Sequence, residues 1–477
     1  MLQPRVGLEV HVQLATASKF LCACPLQDGA PPNALVCPIC TGHPGTLPTL
    51  NDQAVKLAIK AGLALNGQLN RVSSFDRKHY RYPDLPKGYQ VTQARTPLVG
   101  DATLHVSLDD EVHAFRIQRI HLEEDSGKLL HRDGRTLVDY NRAGIPLIEV
   151  VGAPDLENGR QAEAWLRMLH RVLVFAGITK GEMDKGHLRC DANISVGTSE
   201  EPGERVEVKN INSFRFVRRA VDSEIERQTA LLKARKPVRR ETRGWTGTGT
   251  VPLRDKEQTR DYLLLPEPDL PPVVLTSEEV ERAVTELPGA VDKYLLYQDL
   301  ERLQQWRHEF GLEREQVQPI TEDPQLEELF REAHALGANP LELAHWIVGP
   351  VRALMNKHDH PLSGLPLTPE HMADLCRLMA TGSITRATAR KLLDWVGARD
   401  GNVEGLVEVL GWHKIKDLNA LRTQVRETMT CHPEELRRLQ EGNTGLADFF
   451  VGKVIAATQG RADPDQVHSL VREIASA

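Results

Sequence analysis

The sequence predicts an α+β protein, with an N-terminal domain on a mixed or antiparallel sheet with flanking helices, followed by two all-helical domains. Three observations predict it. Residues 1–290 are rich in Gly, Pro and short β-like runs interrupted by a few helical stretches. The Pro-rich run LLLPEPDLPPVVL (263–275) closes this region and stiffens the chain. Beyond it helical periodicity takes over, first across 291–400 and then across 401–477, with Gly401 and its neighbours as the break. A chain of 477 residues is too long for one ordinary core, so several domains are expected.

The first element is VGLEVHVQL (6–14). On a strand, Val6, Leu8, Val10, Val12 and Leu14 line one face, and Glu9, His11 and Gln13 the other. Glu9 and His11 then stand side by side, roughly 7 Å apart along the backbone. An edge strand with a solvated polar face would show the same pattern. Helices follow over 51–67, capped by Asn51 or Asp52 with Val55, Ala58, Ile59, Gly62 and Leu65 on one face, and over 159–177, where Trp165, Leu166, Leu169, Val172 and Leu173 form a stripe. A third begins near Phe214 and is ended by Pro237. The runs PLIEVV, ANISV and RVEVKN read as strands. Later helical stretches are 324–337, 340–358, 368–382, 383–397, 418–442 and 445–460.

Composition is that of a globular protein, with 40% hydrophobic and 26% charged residues. The sequence holds no apolar run of about 18 residues and no secretory or transit signal at its start, so a cytoplasmic protein without a membrane partner is expected. A net charge of -7 argues against a general affinity for nucleic acid, though not against a local basic patch. One candidate patch is Arg227, Lys233, Arg235, Lys236, Arg239, Arg240 and Arg243, which a solvated helix end would also explain.

The sharpest chemical signal is Cys22-x-Cys24 followed, after 12 residues, by Cys37-x-x-Cys40. Two short cysteine pairs joined by a loop place four thiolates around one Zn²⁺, a closed and therefore structural site. The segment FDRKHYRYPDLPKGYQ supplies Arg77, Lys78, His79, Tyr80, Arg81, Tyr82, Lys87 and Tyr89, which suit phosphates and stacked bases, on a loop set by Pro83 and Pro86. In HLEEDSGK, Glu123, Glu124 and Asp125 adjoin; such carboxylates repel one another unless cations share the site. With Glu9 and His11 they would complete a Mg²⁺ site, and an exposed acidic turn is the alternative. Further polar groups alternate with apolar ones: Asp139, Asn141 and Arg142; Glu182, Arg189, Asp191 and Asn193; Lys209, Asn210, Asn212 and Ser213. Together they would line one cleft. There is no phosphate-binding G-x-x-x-x-G-K-[ST] loop, no G-x-S-x-G elbow, no protein-kinase motif set and no amidase signature.

GLEVHVQLATASKF, FDRKHYRYPDLPKGYQ, HLEEDSGK, DYNRAGIPLIEVV, LRCDANISV, VEVKNINSF and LPEPDLPP, in this order, resemble the B-subunit family of the tRNA-dependent amidotransferases, GatB, and GLADFFVGKVIAATQGRADPDQV resembles its helical tail. The resemblance implies an ATP-using ligase that phosphorylates the side-chain carboxylate of Asp-tRNA(Asn) or Glu-tRNA(Gln) and lets ammonia displace the phosphate. It implies a heterotrimer in which an A subunit hydrolyses glutamine and a small C subunit clamps the pair, and a tail that grips the tRNA. Glu9, His11 and Glu124 would form the metal set, with Glu123 and Asp125 beside it. Lys78, His79, Tyr80, Tyr82, Lys87 and Arg142 would hold nucleotide phosphates or the acceptor end, and Arg189, Asp191, Asn193, Lys209 and Asn212 would line the same cleft. The chain departs from the family at Leu263, Leu264 and Leu265, at Asp184, Lys185 and His187, and at Asn443. A noncatalytic RNA-binding scaffold is the main alternative; a zinc hydrolase fits poorly, because four thiolates leave no open position.

Overall fold

In a computed structural model, residues 2–80, 82–108, 111–183, 185–253, 263–287, 291–358, 360–399 and 401–476 are described. Arg81 and Asp184 lie outside them. The chain divides into two units, 1–298 and 299–477.

The first unit carries strands β1 (Gln3–Gln13), β2 (Val72–Ser73), β3 (Asp76–His79), β4 (Tyr89–Thr92), β5 (Ala102–Leu108), β6 (Glu111–Glu124), β7 (Lys128–Arg132), β8 (Arg135–Asp139), β9 (Pro146–Gly152), β10 (Leu188–Gly197), β11 (Val206–Ile211), β12 (Glu241–Trp245), β13 (Thr250–Pro252), β14 (Leu263–Pro266) and β15 (Val273–Val274). Eight of them form one sheet in the order β13-β12-β11-β10-β1-β9-β6-β5, antiparallel except for the parallel pair β11 and β12. β1 is therefore a central strand between β10 and β9, not an edge.

Alternation decides which side of β1 is dry. Val6, Leu8, Val10 and Val12 are fully buried, each contributing about 1.5–3 kcal/mol by leaving water. Their core is shared with helices α1 (Asp52–Ala64), α2 (Gly159–Phe175) and α3 (Phe214–Lys233). Asn51 caps α1 by accepting from the backbone N–H groups of Gln53 and Ala54. The buried face of α1 is Ala54, Leu57, Ala58, Ile59, Ala61, Gly62 and Ala64, so Val55 sits at its margin. Helix α3 ends at Lys233, four residues before Pro237. Helices cover the dry face, which leaves the other for polar groups.

The aromatic, basic segment expected to be a loop instead starts and ends as the hairpin β3 and β4, with Lys78 opposite Gln90. Pro83 and Pro86 fall in its connection, where a missing N–H costs no ladder bond. Exposed β14 pairs with β3, setting Leu263, Leu264 and Leu265 against His79, Lys78 and Arg77.

The second unit is helical and holds two hydrophobic cores. One is centred on Trp306, Phe310 and Phe330 and extends to Val403 and Val407. The other packs Leu421, Val425, Phe450, Val454, Val467 and Val471. The stretch 340–358 is three pieces, because Pro350 lacks an N–H and the ladder widens to a π-helical turn over Ile347–Val351. Among the described residues no helix is long and apolar enough to cross a membrane.

Candidate active site

Strand register assembles the polar face. His11 stands opposite Arg189 on β10 and Glu149 on β9, and Glu149 in turn faces His121 on β6. One step along, Glu9 pairs with Asp191, and Asn193 donates an amide N–H to Glu9 Oε1 at 2.8 Å. On β11, Lys209 lies 3.1 Å from Glu207 and 3.7 Å from Asp191. Glu9 and Asn193, 184 apart in sequence, thus share one surface.

Charge on this face is unbalanced. Burial, then Glu149, Glu207 and Asp191, push the Glu9 carboxyl above its ordinary value against the pull of Asn193. Burial likewise raises Asp191. His11 Nδ1 is 2.7 Å from Glu123 Oε1 and 3.9 Å from Glu149 Oε2. Burial works against a charged imidazole, yet the Glu123 and Glu149 carboxylates outweigh it and raise His11 to about 9. Burial also opposes ionisation of Glu149, but His121, 3.4 Å away, with His11 and Lys78, holds it below the carboxylate range.

Three ligand atoms, one each from His11, Glu123 and Glu149, lie within 4.8 Å of one another. Two carboxylates and an imidazole suit a divalent cation whose other positions are filled by water or phosphate oxygens. Beside them His121, 4% exposed, faces Glu149 through Nε2, and its Nδ1 has no hydrogen-bond partner among the described residues.

The three adjacent acids do not form an exposed turn. Glu123, Glu124 and Asp125 are 2%, 3% and 5% exposed. Nor do they act together. Glu123 and Glu124 point to opposite sides of β6, so only Glu123 joins His11. Glu124 instead accepts from Lys87 Nζ at 2.5 Å and from the Val91 backbone N–H at 2.9 Å. Asp125 binds Arg189 at 2.8 Å and Arg142 at 3.2 Å. Lys78 is near enough to bias Glu149, whereas Arg77 is held by Glu267 and Asp269. His79 packs against the Tyr89 ring; Tyr80 and Tyr82 are half-buried in the hairpin connection, and Asn212 is exposed between β11 and α3. Reading the residues in isolation missed Glu149 and His121, although Glu149 is the lone acid in PLIEVV and His121 is two places from Glu123.

A second cluster forms as its spacing requires. The sulfurs of Cys22, Cys24, Cys37 and Cys40 lie within 4.8 Å of one another, close to the roughly 3.8 Å separation of thiolates around zinc. The Cys22 thiol, the backbone at Cys37 and the Lys19 ammonium lower Cys40 to about 4. Lys19 is fully buried, with Nζ 3.6 Å from Cys40 Sγ and 3.1 Å from the Tyr140 carbonyl. Gly42 closes the turn at φ +69°, and a Cβ there would sit 2.8 Å from the Lys87 side chain. Lys19, Cys22, Cys40, Lys87, Tyr89 and Glu124 line a cavity of about 120 Å³, so Glu124 faces the thiolates' side of the sheet.

Comparison with known proteins agrees with this architecture. The family model described as the GatB/GatE catalytic domain matches residues 4–281, and that described as the GatB domain matches 328–474. The chain is 40% identical to the B subunit of the aspartyl/glutamyl-tRNA(Asn/Gln) amidotransferase of Thermodesulfovibrio yellowstonii, over 98% of both chains. It is 39% identical to the protein of that name from Thermotoga maritima, over 99% of this chain and 98% of the relative, and 38% identical to that from Persephonella marina, over 99% of each. Full-length similarity of this order, together with both matched domains, places the chain in the GatB family.

Proposed function

We propose that this chain is the B subunit of a glutamine-dependent amidotransferase that converts Asp-tRNA(Asn) or Glu-tRNA(Gln) to the amide with ATP. The observation that carries this reading is the convergence of His11, Glu123 and Glu149, from three strands, on one polar face. A carboxylate is a poor acyl donor. Its oxygen first takes the γ-phosphoryl group of ATP: an O–P bond forms, the bond to ADP breaks, and an acyl phosphate results. Ammonia then adds to the carbonyl carbon, the C–O bond to phosphate breaks, and the nitrogen loses a proton.

The first step brings two anions together. A Mg²⁺ held by His11, Glu123 and Glu149 supplies charge neutralisation. Around it, Lys78, Lys209 and Arg189 offset phosphate charge, Asn193 orients Glu9, and Asp125 fixes Arg189 and Arg142. His79, Tyr80, Tyr82 and Asn212 border the entry for the nucleotide or the acceptor end. Lys87 and Glu124 form a pair on the far side of β6, beside the cavity that adjoins the thiolates. The four cysteines hold a structural Zn²⁺. Ammonia comes from an A subunit, since this sequence has no amidase signature, and a C subunit completes the heterotrimer in the cytoplasm. In this reading 1–290 is the catalytic cradle, 291–400 a helical spacer and 401–477 a tRNA-gripping tail.

The test uses the assembled subunits with misacylated tRNA, glutamine, ATP and Mg²⁺. His11→Ala is expected to abolish ATP turnover that depends on charged tRNA while tRNA binding survives; unchanged turnover would overturn the reading in favour of a scaffold.

A further inference from the structure

The basic stretch from the end of α3 into β12 is not explained by the site. Its seven cationic residues fall into two sets. Arg227 and Arg243 are internal: both reach the fully buried Glu224 and the Glu241 carboxylate, and Arg243 also donates to Thr250. The other five, Lys233, Arg235, Lys236, Arg239 and Arg240, are exposed, and among the described residues none has an acidic partner. Five exposed cations within eight residues, without an acidic partner among the described residues, stand out on a chain of net charge -7.

A solvated helix end accounts for part of this. Cations in the last turn favour the negative end of a helix dipole, so Lys233 is expected there. The dipole fades within a turn and leaves Arg239 and Arg240 without a reason. Arg235 also has a reason not to be there. α3 stops in a Schellman turn, with the Lys236 N–H on the Leu231 carbonyl at 2.8 Å and the Arg235 N–H on the Leu232 carbonyl at 3.0 Å. Arg235 is the left-handed residue of this turn, at φ +56°. Glycine takes that conformation freely and an arginine does not, so a charge is retained at a conformational cost.

The segment also sits beside the candidate site. It leads into β12, whose Gly244 pairs with Lys209 and whose Thr242 donates to Glu207 on the polar face. From Gly244 back to Arg240 is about 13 Å of strand. A polyanion whose end lay on the polar face has this segment within reach.

We infer that Lys233, Arg235, Lys236, Arg239 and Arg240 form a docking strip for the phosphate backbone of the tRNA whose esterified end lies on the sheet face. The inference rests on the tRNA-dependent function proposed above and adds a phosphate contact next to the esterified end, apart from the tail's grip. A run of exposed ammonium and guanidinium groups suits phosphate oxygens along a nucleic-acid backbone, hence affinity that depends on salt.

The experiment measures binding of a tRNA transcript to the full chain, assembled with its partners, across a KCl series. The variant is Lys233→Gln, Arg235→Gly, Lys236→Gln, Arg239→Gln and Arg240→Gln combined. Arg235→Gly alone is the folding control, because the left-handed backbone suits glycine. In the combined variant the slope of log affinity against log salt is expected to shrink by about 0.7–0.9 for each phosphate no longer neutralised, with affinity down at least about tenfold at moderate salt. An unchanged slope with wild-type binding intact overturns the strip and leaves the tRNA reading standing. Loss of subunit assembly with an unchanged slope also overturns it, assigning the strip to a protein. Absence of tRNA binding by the wild-type assembly at every salt overturns the strip and the tRNA reading together.

Discussion

Two clusters of potential metal ligands in this chain are built in opposite ways. The four cysteines lie within 19 consecutive positions and are closed by local turns, where Gly42 and the Thr41 hydroxyl bond to the Cys37 carbonyl organise the knuckle. His11, Glu123 and Glu149 come from three strands and meet only because β1, β9 and β6 are neighbours in a fixed register. The first cluster depends on loop geometry, and the second on the whole sheet. Each also carries its own charge: the thiolates have a buried lysine, whereas the sheet face has an excess of carboxylates.

The contrast yields measurements, beginning with the largest effect. Glu123→Gln keeps the shape of the sheet site but removes the charge next to His11. ATP turnover in the assembled enzyme should fall about 10²–10³-fold with zinc content unchanged; parallel loss of zinc would mean that the two clusters are not independent. Second comes pH. His11 is raised from 6.5 to about 9, so its ion pair stabilises the fold fully below pH 6.5 and loses that contribution as pH rises through 9. In cation-free protein this amounts to about 3 kcal/mol at most, read as a fall in urea midpoint between those pH values. Glu123→Gln should flatten the profile. Third, Lys19→Met removes the ammonium beside Cys40. Zinc affinity should drop about 10–100-fold, measured by competition with a chelator, while ATP turnover at saturating zinc holds. The smallest effect belongs to neither cluster: Leu264→Gln, on exposed β14, should shift stability by less than about 0.5 kcal/mol in thermal unfolding.

The same contrast explains what was legible in the sequence. The cysteine spacing pointed to one cluster directly, because every ligand is set by local chain. Alternation in VGLEVHVQL gave the dry and wet faces of β1, and Asn51, Gly67 and Gly177 marked helix ends near their true places. Strand order was not legible. Without it Glu124 is set with Glu9 and His11 and Glu123 only beside them, although successive residues on β6 face opposite ways, and Glu149 goes unremarked in the strand-like run PLIEVV. Arg77 reads as a group for phosphates or stacked bases and Arg243 as part of a basic patch; only packing shows Glu267 and Glu224 as their partners. Pro83 and Pro86 suggested loop for a whole segment whose ends pair as strands, because proline reports on its own position and not on a ladder five residues away.

The central claim is that His11, Glu123 and Glu149, and not Glu124, hold a divalent cation. It is tested most directly by titrating Mn²⁺, as a spectroscopic substitute for Mg²⁺, into the zinc-saturated full chain and counting bound ions by electron paramagnetic resonance. Glu149→Gln is expected to lose the site and Glu124→Gln to retain it. Retention by Glu149→Gln with loss in Glu124→Gln would contradict the account.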